Sequence, residues 1–441
     1  MESILKKVVK FGGSSLADAE QFRKVKSIMT EDAARLFLVP SAPGKRYDDD
    51  TKVTDMLYSC YETILSGGDA EAAFYPIALR YEDIIAGLGL SLSLQDEFDR
   101  IIMDLQKGAG KDYAASRGEY LNGIVLADYL GWQFVDAASV IFFMEDGSYD
   151  DGRTCEALRE LLGDRDHVVI PGFYGSLPDG RVKTFSRGGS DITGSIVAKA
   201  IQADLYENWT DVSGFLVADP RIVKNPEVIS MITYRELREL SYMGATVLHE
   251  DAIFPVRSAK IPINIRNTNN PEAEGTMIVA QADDGNSPNI ITGIAGKRGF
   301  SGVAIEKDMM NSELGFGRKV LQIFEENGIS FEHLPSGIDT MTVIVETADL
   351  EGKREILQEQ IASALQPDHL EIEDGLAMLA VVGRGMRKMR GTAARVCAAL
   401  AHANINIRMI DQGSSELNII VGIDEGDLDK AINVIYDMFM L

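Results

Sequence analysis

Cysteine and histidine are scarce in this 441-residue chain. The three cysteines, Cys60, Cys155 and Cys397, form no CxxC pair, which excludes a disulfide framework or a cysteine-based zinc site and is typical of a reducing compartment. The five histidines show no metal-ligand spacing, so no metal site built from the protein's own side chains is predicted.

Positive charge is also under-represented, with 43 Lys and Arg residues against 68 Asp and Glu residues and a formal net charge of −25. This balance argues against nucleic acid or an anionic membrane as the main partner, although it is compatible with a locally basic pocket for ATP. No apolar run is long enough to span a membrane, and Met1–Lys7 lacks the apolar core of an export signal. We therefore expect a cytoplasmic protein.

What is present is an ordinary globular composition, with 45% apolar and 25% charged residues, in a chain long enough for two or three domains. Strand and helix patterns alternate over residues 1–280, which predicts an α/β domain with a mostly parallel sheet covered on both faces. A helical insert is predicted at about 58–145. The polar stretch Gln281–Pro288 (QADDGNSP), which contains a proline, predicts a linker over residues 281–290.

Beyond the linker the chain repeats itself. Gly315–Val345 aligns with Gly391–Val421 at an offset of about 76 residues, and each copy predicts a strand, a helix and two strands. Two small α+β modules of the βαββαβ type are predicted, at 291–370 and 371–441, with strands that can be interleaved. Such paired modules are more typical of ligand sensing or dimerisation than of catalysis.

Two strand–glycine–helix segments are candidate anion sites, namely Lys7–Leu16 (KVVKFGGSSL) and Arg181–Ala200 (RVKTFSRGGSDITGSIVAKA). Their glycines let backbone approach a ligand, and free N–H groups at a helix start favour negative charge. Arg187 suits a carboxylate or phosphate, and Asp191 suits a lysine or a metal. Lys10 lies just ahead of the first turn. A glycine-rich turn is also a common structural device, so the pattern alone leaves both interpretations open.

Two other segments are predicted to form turns with polar residues at their tips. Thr210–Gly214 (TDVSG) and Ala218–Arg221 (ADPR) are suited to the ribose and phosphates of a nucleotide, whereas no Gly-Lys pair continues as a Walker A loop. Arg117–Tyr120 (RGEY) is predicted at a helix start, as a cap and ion pair or as part of a site. The acidic run Asp48–Asp50 is predicted to be a solvated loop insertion, and His249 a structural histidine.

With these segments in this order, the chain resembles the aspartokinases of the amino-acid kinase superfamily over essentially its full length. The resemblance is carried by KFGGSSL, FSRGGSDITGSIVA, TDVSGFLVADPR and GATVLH, and by a C-terminal repeat similar to tandem ACT domains. It implies a carbamate-kinase-like three-layer sandwich. It also implies transfer of the γ-phosphoryl group of ATP to the β-carboxylate of L-aspartate, with Mg²⁺ carried on the phosphates. The expected products are 4-phospho-L-aspartate and ADP, in the first step of lysine, threonine and methionine biosynthesis.

The resemblance also implies roles for individual residues. Lys10 would neutralise the transferring phosphoryl group, Asp191 would hold Lys10, and Arg187 would clamp a carboxylate of aspartate. Glu119 would receive the α-ammonium group. The other expected substrate contacts are Ser41, Thr54 and Ser190, and the expected ATP contacts besides Lys10 are Gly12, Gly13, Ser14, Ser15, Thr210, Asp211, Gly214, Asp219 and Arg221. No general base is needed, because a carboxylate with a pKa of about 3.9 is already ionised at neutral pH.

ACT modules pair side by side and bind amino acids at the seam, so the resemblance implies feedback inhibition and a homodimer, or a tetramer. Lysine is the predicted inhibitor, because Glu332 or Asp339 would suit its ε-ammonium group, and threonine is the second candidate. Ordinary surface charges are an equal alternative at each position. The expected effector residues are Met310, Glu313, Phe331, Glu332, Ser336, Gly337, Ile338, Asp339 and Thr340. Because the chain ends within the repeat, a monofunctional enzyme is expected.

Two rival functions stay open. One is a related kinase acting on glutamate, an acylated glutamate such as N-acetylglutamate, or carbamate. The other is a non-catalytic amino-acid sensor that has kept the kinase fold. The paired ACT region and Arg117–Glu119 favour aspartate, and the presence of both Lys10 and Asp191 favours catalysis over sensing.

Overall fold

The computed structural model describes five stretches of the chain, residues 5–163, 165–186, 188–244, 250–282 and 289–440. These residues divide into two compact units. The first unit consists of residues 5–215, 228–234 and 250–282, and the second of residues 216–227, 235–244 and 289–440. The chain therefore enters the second unit twice before it continues into its C-terminal region. In the described stretches, no helix combines the length and apolarity needed to cross a membrane.

The strands of the first unit build one large sheet and one small hairpin. Their bounds are β1 Lys7–Phe11, β2 Arg35–Pro40, β3 Gln133–Phe134, β4 Val168–Val169, β5 Tyr174–Ser176, β6 Val182–Thr184, β7 Leu205–Thr210, β8 Met231–Thr233, β9 Ile263–Asn267 and β10 Thr276–Val279. The sheet has the order β3-β4-β2-β1-β7-β9-β10-β8. Neighbouring strands in this sheet are parallel, except that β9 pairs antiparallel with β10. Strands β5 and β6 form the separate antiparallel hairpin.

The helices that surround this sheet begin at residues suited to a helix start. Asp18 accepts hydrogen bonds from the N–H groups of Glu20 and Gln21, and Asp69 caps the third helix in the same way. Within the predicted insert at about 58–145, the chain is mainly helical up to Leu130, whereas β3, Gln133–Phe134, belongs to the large sheet. The bounds are α1 Ala19–Glu31, α2 Val53–Leu65, α3 Ala70–Leu88, α4 Gln95–Gln106, α5 Lys111–Leu130, α6 Asp151–Leu162, α7 Gly189–Ala200, α8 Tyr234–Tyr242 and α9 Glu250–Ala259.

Both faces of the sheet are covered. On one face α7 packs against β1, β2 and β7, with Gly194 so close to Tyr206 that a Cβ atom there would lie 2.5 Å from the phenol oxygen. On the other face Trp209 stacks on Phe11, and Arg35 donates to a carbonyl of α1. Alternate residues of a strand point to opposite faces, which separates these two layers. The predicted fold class, an α/β sandwich with a mostly parallel sheet, is confirmed.

The second unit holds an antiparallel sheet with the order β12-β11-β13-β15-β14. Its strands are β11 Gly293–Glu306, β12 Thr340–Glu346, β13 His369–Val382, β14 Met409–Asp411 and β15 Asn418–Asp424. Its helices are α10 Phe316–Glu326, α11 Arg354–Leu365, α12 Thr392–His402 and α13 Leu428–Met440. The two helices predicted within the repeat are α10 and α12. Strands β11 and β13 pair along their whole length, from Gly293 opposite Val382 to Glu306 opposite His369.

Most of α8 belongs to the second unit, where a buried ion pair fastens it. Arg384 Nη1 lies 2.9 Å from Glu236 Oε2, and the backbone N–H of Arg384 donates to Glu236 Oε1 at 2.9 Å. Thr292 Oγ1 donates to the same oxygen at 2.6 Å. A buried charge is tolerated where it is paired and hydrogen-bonded, so this cluster fixes α8 to the segment that follows β13.

Candidate active site

Lys10 and Asp191 lie in contact at the carboxyl ends of the central strands. Lys10 Nζ is 2.6 Å from Asp191 Oδ1, and Asn208 Nδ2 donates to the same oxygen at 2.9 Å. The Lys10 side chain is 9% exposed, so its ammonium group is held in one place. The structure thus brings the two glycine-rich segments together. Asn208 was missed in the sequence, although its position opposite Lys10 in the β1–β7 register could have indicated it.

The first glycine turn, Gly12–Ser15, packs directly on the loop after β2. A Cβ atom on Gly13 would lie 2.9 Å from the Ala42 carbonyl oxygen, and the Gly44 N–H donates to the Gly13 carbonyl at 2.8 Å. Glycine is required here because the two backbones touch. The Ser15 hydroxyl is buried and shares a hydrogen bond of 2.7 Å with Thr268 Oγ1, so this side chain is already satisfied within the protein.

Arg117–Tyr120 lies in the middle of α5 rather than at a helix start, which corrects the sequence prediction. The correction has a packing reason. A Cβ atom on Gly118 would lie 2.8 Å from Ala42 Cβ, so the glycine serves close approach between α5 and the loop after β2. The Arg117 guanidinium stacks on aromatic rings, 4.4 Å from the Tyr120 ring centre, and no ion pair with Glu119 is found among the described residues.

The Glu119 carboxyl group is buried and incompletely satisfied. It is 5% exposed and accepts a hydrogen bond from the Ala42 N–H. Within the described ranges, its Oε2 atom has no hydrogen-bond partner. Burial raises the pKa of Glu119 to about 8, although the Ala42 N–H and the charges of Arg117 and Lys10 act in the opposite direction. A buried acid of this kind gains from an incoming cation, because pairing restores the favourable charged form.

The predicted hydroxyl contacts lie on elements close to Glu119 and Asp191. Ser41 follows β2, with its N–H donating to the Phe11 carbonyl at 3.0 Å and its carbonyl accepting from Asn122 Nδ2 at 2.6 Å. Thr54 is half-buried in the first turn of α2. Ser190 is in the first turn of α7, where a Cβ atom on the neighbouring Gly172 would lie 2.6 Å from its hydroxyl oxygen.

Some predicted residues lie outside the described residues. These are Arg187, the segment 245–249 that contains His249 and most of GATVLH, and residues 283–288 of the predicted linker.

The predicted nucleotide residues fall in both compact units. In the first unit, Thr210 ends β7 and donates to Asp211 Oδ1 at 3.2 Å. Gly214 has a φ of +106°, and a Cβ atom there would lie 2.4 Å from Thr276 Oγ1, so only glycine fits. In the second unit, Asp219 and Arg221 pair with each other at 2.6 Å. Hydrogen bonds from Arg221 lower the pKa of Asp219.

The predicted effector residues belong to the second unit. Glu313 Oε2 lies 2.6 Å from Lys307 Nζ and Glu313 Oε1 lies 2.6 Å from Lys319 Nζ, so this carboxylate is already neutralised. Glu332 instead accepts a hydrogen bond from the Tyr242 hydroxyl on α8. Gly337, Ile338, Asp339 and Thr340 form a turn that starts at Ser336, closed by the Gly337 N–H donating to the Thr340 carbonyl at 2.7 Å. Met310 is buried, whereas Phe331 and Ile338 are 45% and 69% exposed.

Fold and site together define an amino acid kinase that carries a regulatory ACT region. The amino acid kinase family matches residues 6–267, and an ACT domain family matches residues 379–439. The chain is 43% identical to aspartokinase 3 of Bacillus subtilis (strain 168), with 98% of each chain covered. It therefore belongs to the aspartokinases, and it is an aspartate kinase.

Solved structures agree with this assignment. A crystal structure of aspartate kinase from Clostridium acetobutylicum matches with a TM-score of 0.89 at 51% identity, covering 99% of this chain and 100% of that one. Two structures of aspartokinase III from E. coli match with a TM-score of 0.72 at 24% identity, and at that distance they show the common fold. One covers 99% of this chain and 100% of that one, and is a complex with aspartate and ADP. The other covers 98% and 99%, and is a complex with lysine and aspartate.

Proposed function

We propose that this aspartate kinase transfers the γ-phosphoryl group of ATP to the β-carboxylate of L-aspartate. The products would be 4-phospho-L-aspartate and ADP, and the reaction would be the first step of lysine, threonine and methionine biosynthesis in the cytoplasm. The buried Glu119 carboxyl group carries the proposal. Its unpaired oxygen suits the α-ammonium group of an amino acid, which an N-acylated substrate or carbamate lacks.

The chemistry requires charge neutralisation rather than proton removal. The attacking β-carboxylate is anionic at neutral pH, and so is the phosphate that it approaches. Lys10 is fixed by Asp191 and Asn208 at the end of β1, where its ammonium group can offset the negative charge that builds up during transfer. Its fixed position avoids the cost of reorientation during the reaction.

The remaining contacts are proposed from the places of these residues in the motifs that the chain shares with the aspartokinases. Ser41, Thr54 and Ser190 would supply hydroxyl groups to L-aspartate, and Arg187 would clamp one of its carboxylates. The turn from Gly12 to Ser15 would wrap the phosphates of ATP, with the N–H groups of Gly13 and Ser14 as the proposed donors, because those of Gly12 and Ser15 donate to the carbonyls of Trp209 and Gly12. Thr210, Asp211 and Gly214, all in the first unit, would line the nucleotide site.

Mg²⁺ fits this site as a partner of the phosphates. Among the described residues, no cluster of three or more His, Cys, Asp or Glu side chains has the arrangement of a metal site. The Asp191 carboxylate is already paired with Lys10. When bound, Mg²⁺ neutralises phosphate charge, and this chain's residues would hold it through the nucleotide.

Regulation is proposed to act through the second unit, with ACT modules at 291–370 and 371–441 following a kinase domain at 1–280 and a linker at 281–290. Lysine is the proposed inhibitor, with threonine as the second candidate, and the E. coli enzyme in complex with lysine supports this choice. Glu332 is the proposed ligand for the ε-ammonium group. Pairing of ACT modules from two chains would give a homodimer, or a tetramer.

The deciding experiment measures ATP-dependent acyl phosphate formation, trapped as the hydroxamate. L-Aspartate, L-glutamate and N-acetyl-L-glutamate are each offered with and without lysine and threonine. We expect turnover with aspartate alone, reduced by lysine. Turnover with another acid would contradict the substrate assignment. Tight lysine binding without turnover of any acid would instead support the non-catalytic sensor.

A further inference from the structure

Asp50 does not behave as the solvated loop residue that the sequence predicted. Asp48 and Asp49 are exposed, but Asp50 is 7% exposed. Burial alone would raise the pKa of Asp50, yet hydrogen bonds from Arg46 and the charges of Arg80 and Arg46 outweigh it and hold the pKa well below its usual range. Asp50 is therefore charged at neutral pH, and both of its carboxylate oxygens accept hydrogen bonds from arginine side chains.

The partner that buries it is Arg80, from the middle of α3. The Arg80 side chain is 2% exposed, and its Nη2 atom lies 2.7 Å from Asp50 Oδ2. The same nitrogen donates to the Thr51 carbonyl at 3.3 Å, and Nη1 donates to the Gly44 carbonyl at 3.1 Å. One planar guanidinium group thus fastens both arms of the loop between β2 and α2.

This loop connects the pieces of the proposed site. It begins at Ser41, continues through Ala42, whose N–H donates to Glu119, and leads to Thr54 in the first turn of α2. Its Gly44 touches the phosphate turn so closely that a Cβ atom there would lie 2.6 Å from the Gly13 carbonyl carbon. A displacement of the Gly44 carbonyl would therefore shift both the aspartate contacts and the turn proposed to bind phosphates.

We propose that Arg80 and Asp50 are positioning residues, which set the distance between the L-aspartate site and the phosphate turn. The inference rests on the proposed function, since it assigns a role to the loop that carries Ser41 and Thr54. Arg80 suits this role because its rigid fork can serve a carboxylate and two carbonyls at once. A lysine offers the same charge from a single nitrogen and cannot reproduce these three contacts together.

The first test uses two neighbouring substitutions of identical chemistry, Asp50→Asn and Asp49→Asn. Both remove one negative charge from the same loop, but Asp49 is exposed and Asp50 is buried against Arg80. We expect Asp50→Asn to raise the KM for L-aspartate about 10-fold and to lower kcat, because small misplacements of reacting groups are costly. Asp49→Asn should keep native values of both constants.

Arg80→Lys separates positioning from folding. We expect this variant to have a lower thermal unfolding midpoint, because carbonyl contacts of Arg80 are lost, but to remain folded at the assay temperature because the charge is retained. The KM for L-aspartate of this folded enzyme should be at least about 5-fold raised. A purely structural role would instead lower the unfolding midpoint and leave the KM of the folded enzyme at its native value.

The outcomes are separable from those of the proposed function. If the native enzyme forms no acyl phosphate with L-aspartate, the proposed function fails whatever the variants do. If the native enzyme is active and Asp50→Asn matches Asp49→Asn, with Arg80→Lys native in KM, the positioning role is overturned. A raised KM in both Asp50→Asn and Arg80→Lys, with a native value in Asp49→Asn, supports it.

Discussion

Two buried carboxyl groups of the first unit, Asp50 and Glu119, have pKa values shifted in opposite directions. Both are less than a tenth exposed. Asp50 lies against Arg80 and Arg46, and its pKa is held below the usual range. Glu119 has an N–H donor on one side, and burial raises its pKa to about 8. Burial alone therefore does not decide the charge of an acid; the partner provided by the fold does.

The difference separates a structural acid from a binding acid. A carboxylate that the fold has already paired gains little from a ligand, because its charge is compensated. An acid buried with an unpaired oxygen loses part of its desolvation penalty when a cation arrives. By this criterion Asp50 holds the loop after β2, and Glu119 is the acid that we propose as the ligand for the substrate ammonium group.

The strongest challenge to this criterion is Asp191, which is paired and yet proposed to act in catalysis. We expect Asp191→Asn to lower kcat by about 10³-fold with little change in the KM for ATP, because Lys10 loses its fixed position. Steady-state kinetics with coupled ADP detection measures this. Asp179→Asn, which breaks an exposed pair with Arg181, is the control. Equal losses in kcat and ATP affinity would contradict the orienting role.

Glu119→Gln tests the binding acid directly. We expect the KM for L-aspartate to rise roughly 30-fold at pH 8, because a charge-assisted contact to the ammonium group is lost. In the native enzyme this KM should fall as pH rises from 6 to 8, since Glu119 with a pKa of about 8 must lose its proton to bind a cation. The variant should lose that pH dependence. Asp128→Asn, exposed on the same helix, should retain it.

Stability against pH should separate the two acids again. The pKa of Glu119 is raised to about 8 by folding, so the folded state binds the extra proton and native stability falls as pH rises from 5 towards 8. Glu119→Gln should remove about 2 kcal/mol of this fall between pH 5 and 7. The destabilisation by Asp50→Asn should be constant over the same range, because the lowered pKa keeps Asp50 charged throughout. Urea unfolding at each pH measures both.

The same criterion distinguishes two acids of the second unit, Glu313 and Glu332, as candidate ligands for the ammonium group of the effector. Glu313 is paired with two lysines, whereas Glu332 accepts from the neutral Tyr242 hydroxyl. We expect Glu332→Gln to raise the half-inhibitory lysine concentration about 10-fold and Glu313→Gln to change it less than about 2-fold. Inhibition curves at fixed aspartate measure this, and the opposite ranking would assign the role to Glu313.

The sequence was informative where the site is built from continuous segments. Each glycine turn follows a strand, β1 of the large sheet in one case and β6 of the separate hairpin in the other. The two turns were therefore found as segments, but the meeting of Lys10 with Asp191 was implied by the family resemblance and not by strand order. Asn208 required one further step, the register of β7 beside β1.

The sequence was misleading where a distant partner decides the outcome. Three successive aspartates look solvated, and nothing near them indicates that Arg80, 30 residues away in α3, pairs with the last one. Gly118 reads as a helix boundary because glycine is a poor helix former. In the structure, contact with Ala42 and Leu57 requires a residue without a side chain at that position, and α5 continues through it.

The full-length pairing of β11 with β13 limits how this protein can be recombined. The ACT match begins at residue 379, inside β13, whose hydrogen bonds to β11 continue on both sides of that point. In a hybrid gene joined at that point, one part of β13 would come from each parent protein, and both parts would have to pair with the same β11 strand. A fragment cut at that point would leave backbone groups of the shortened strand unpaired. Exchanging either copy of the C-terminal repeat by itself would therefore disrupt this shared ladder, so the effector preference proposed for this region would have to be transplanted with both copies together.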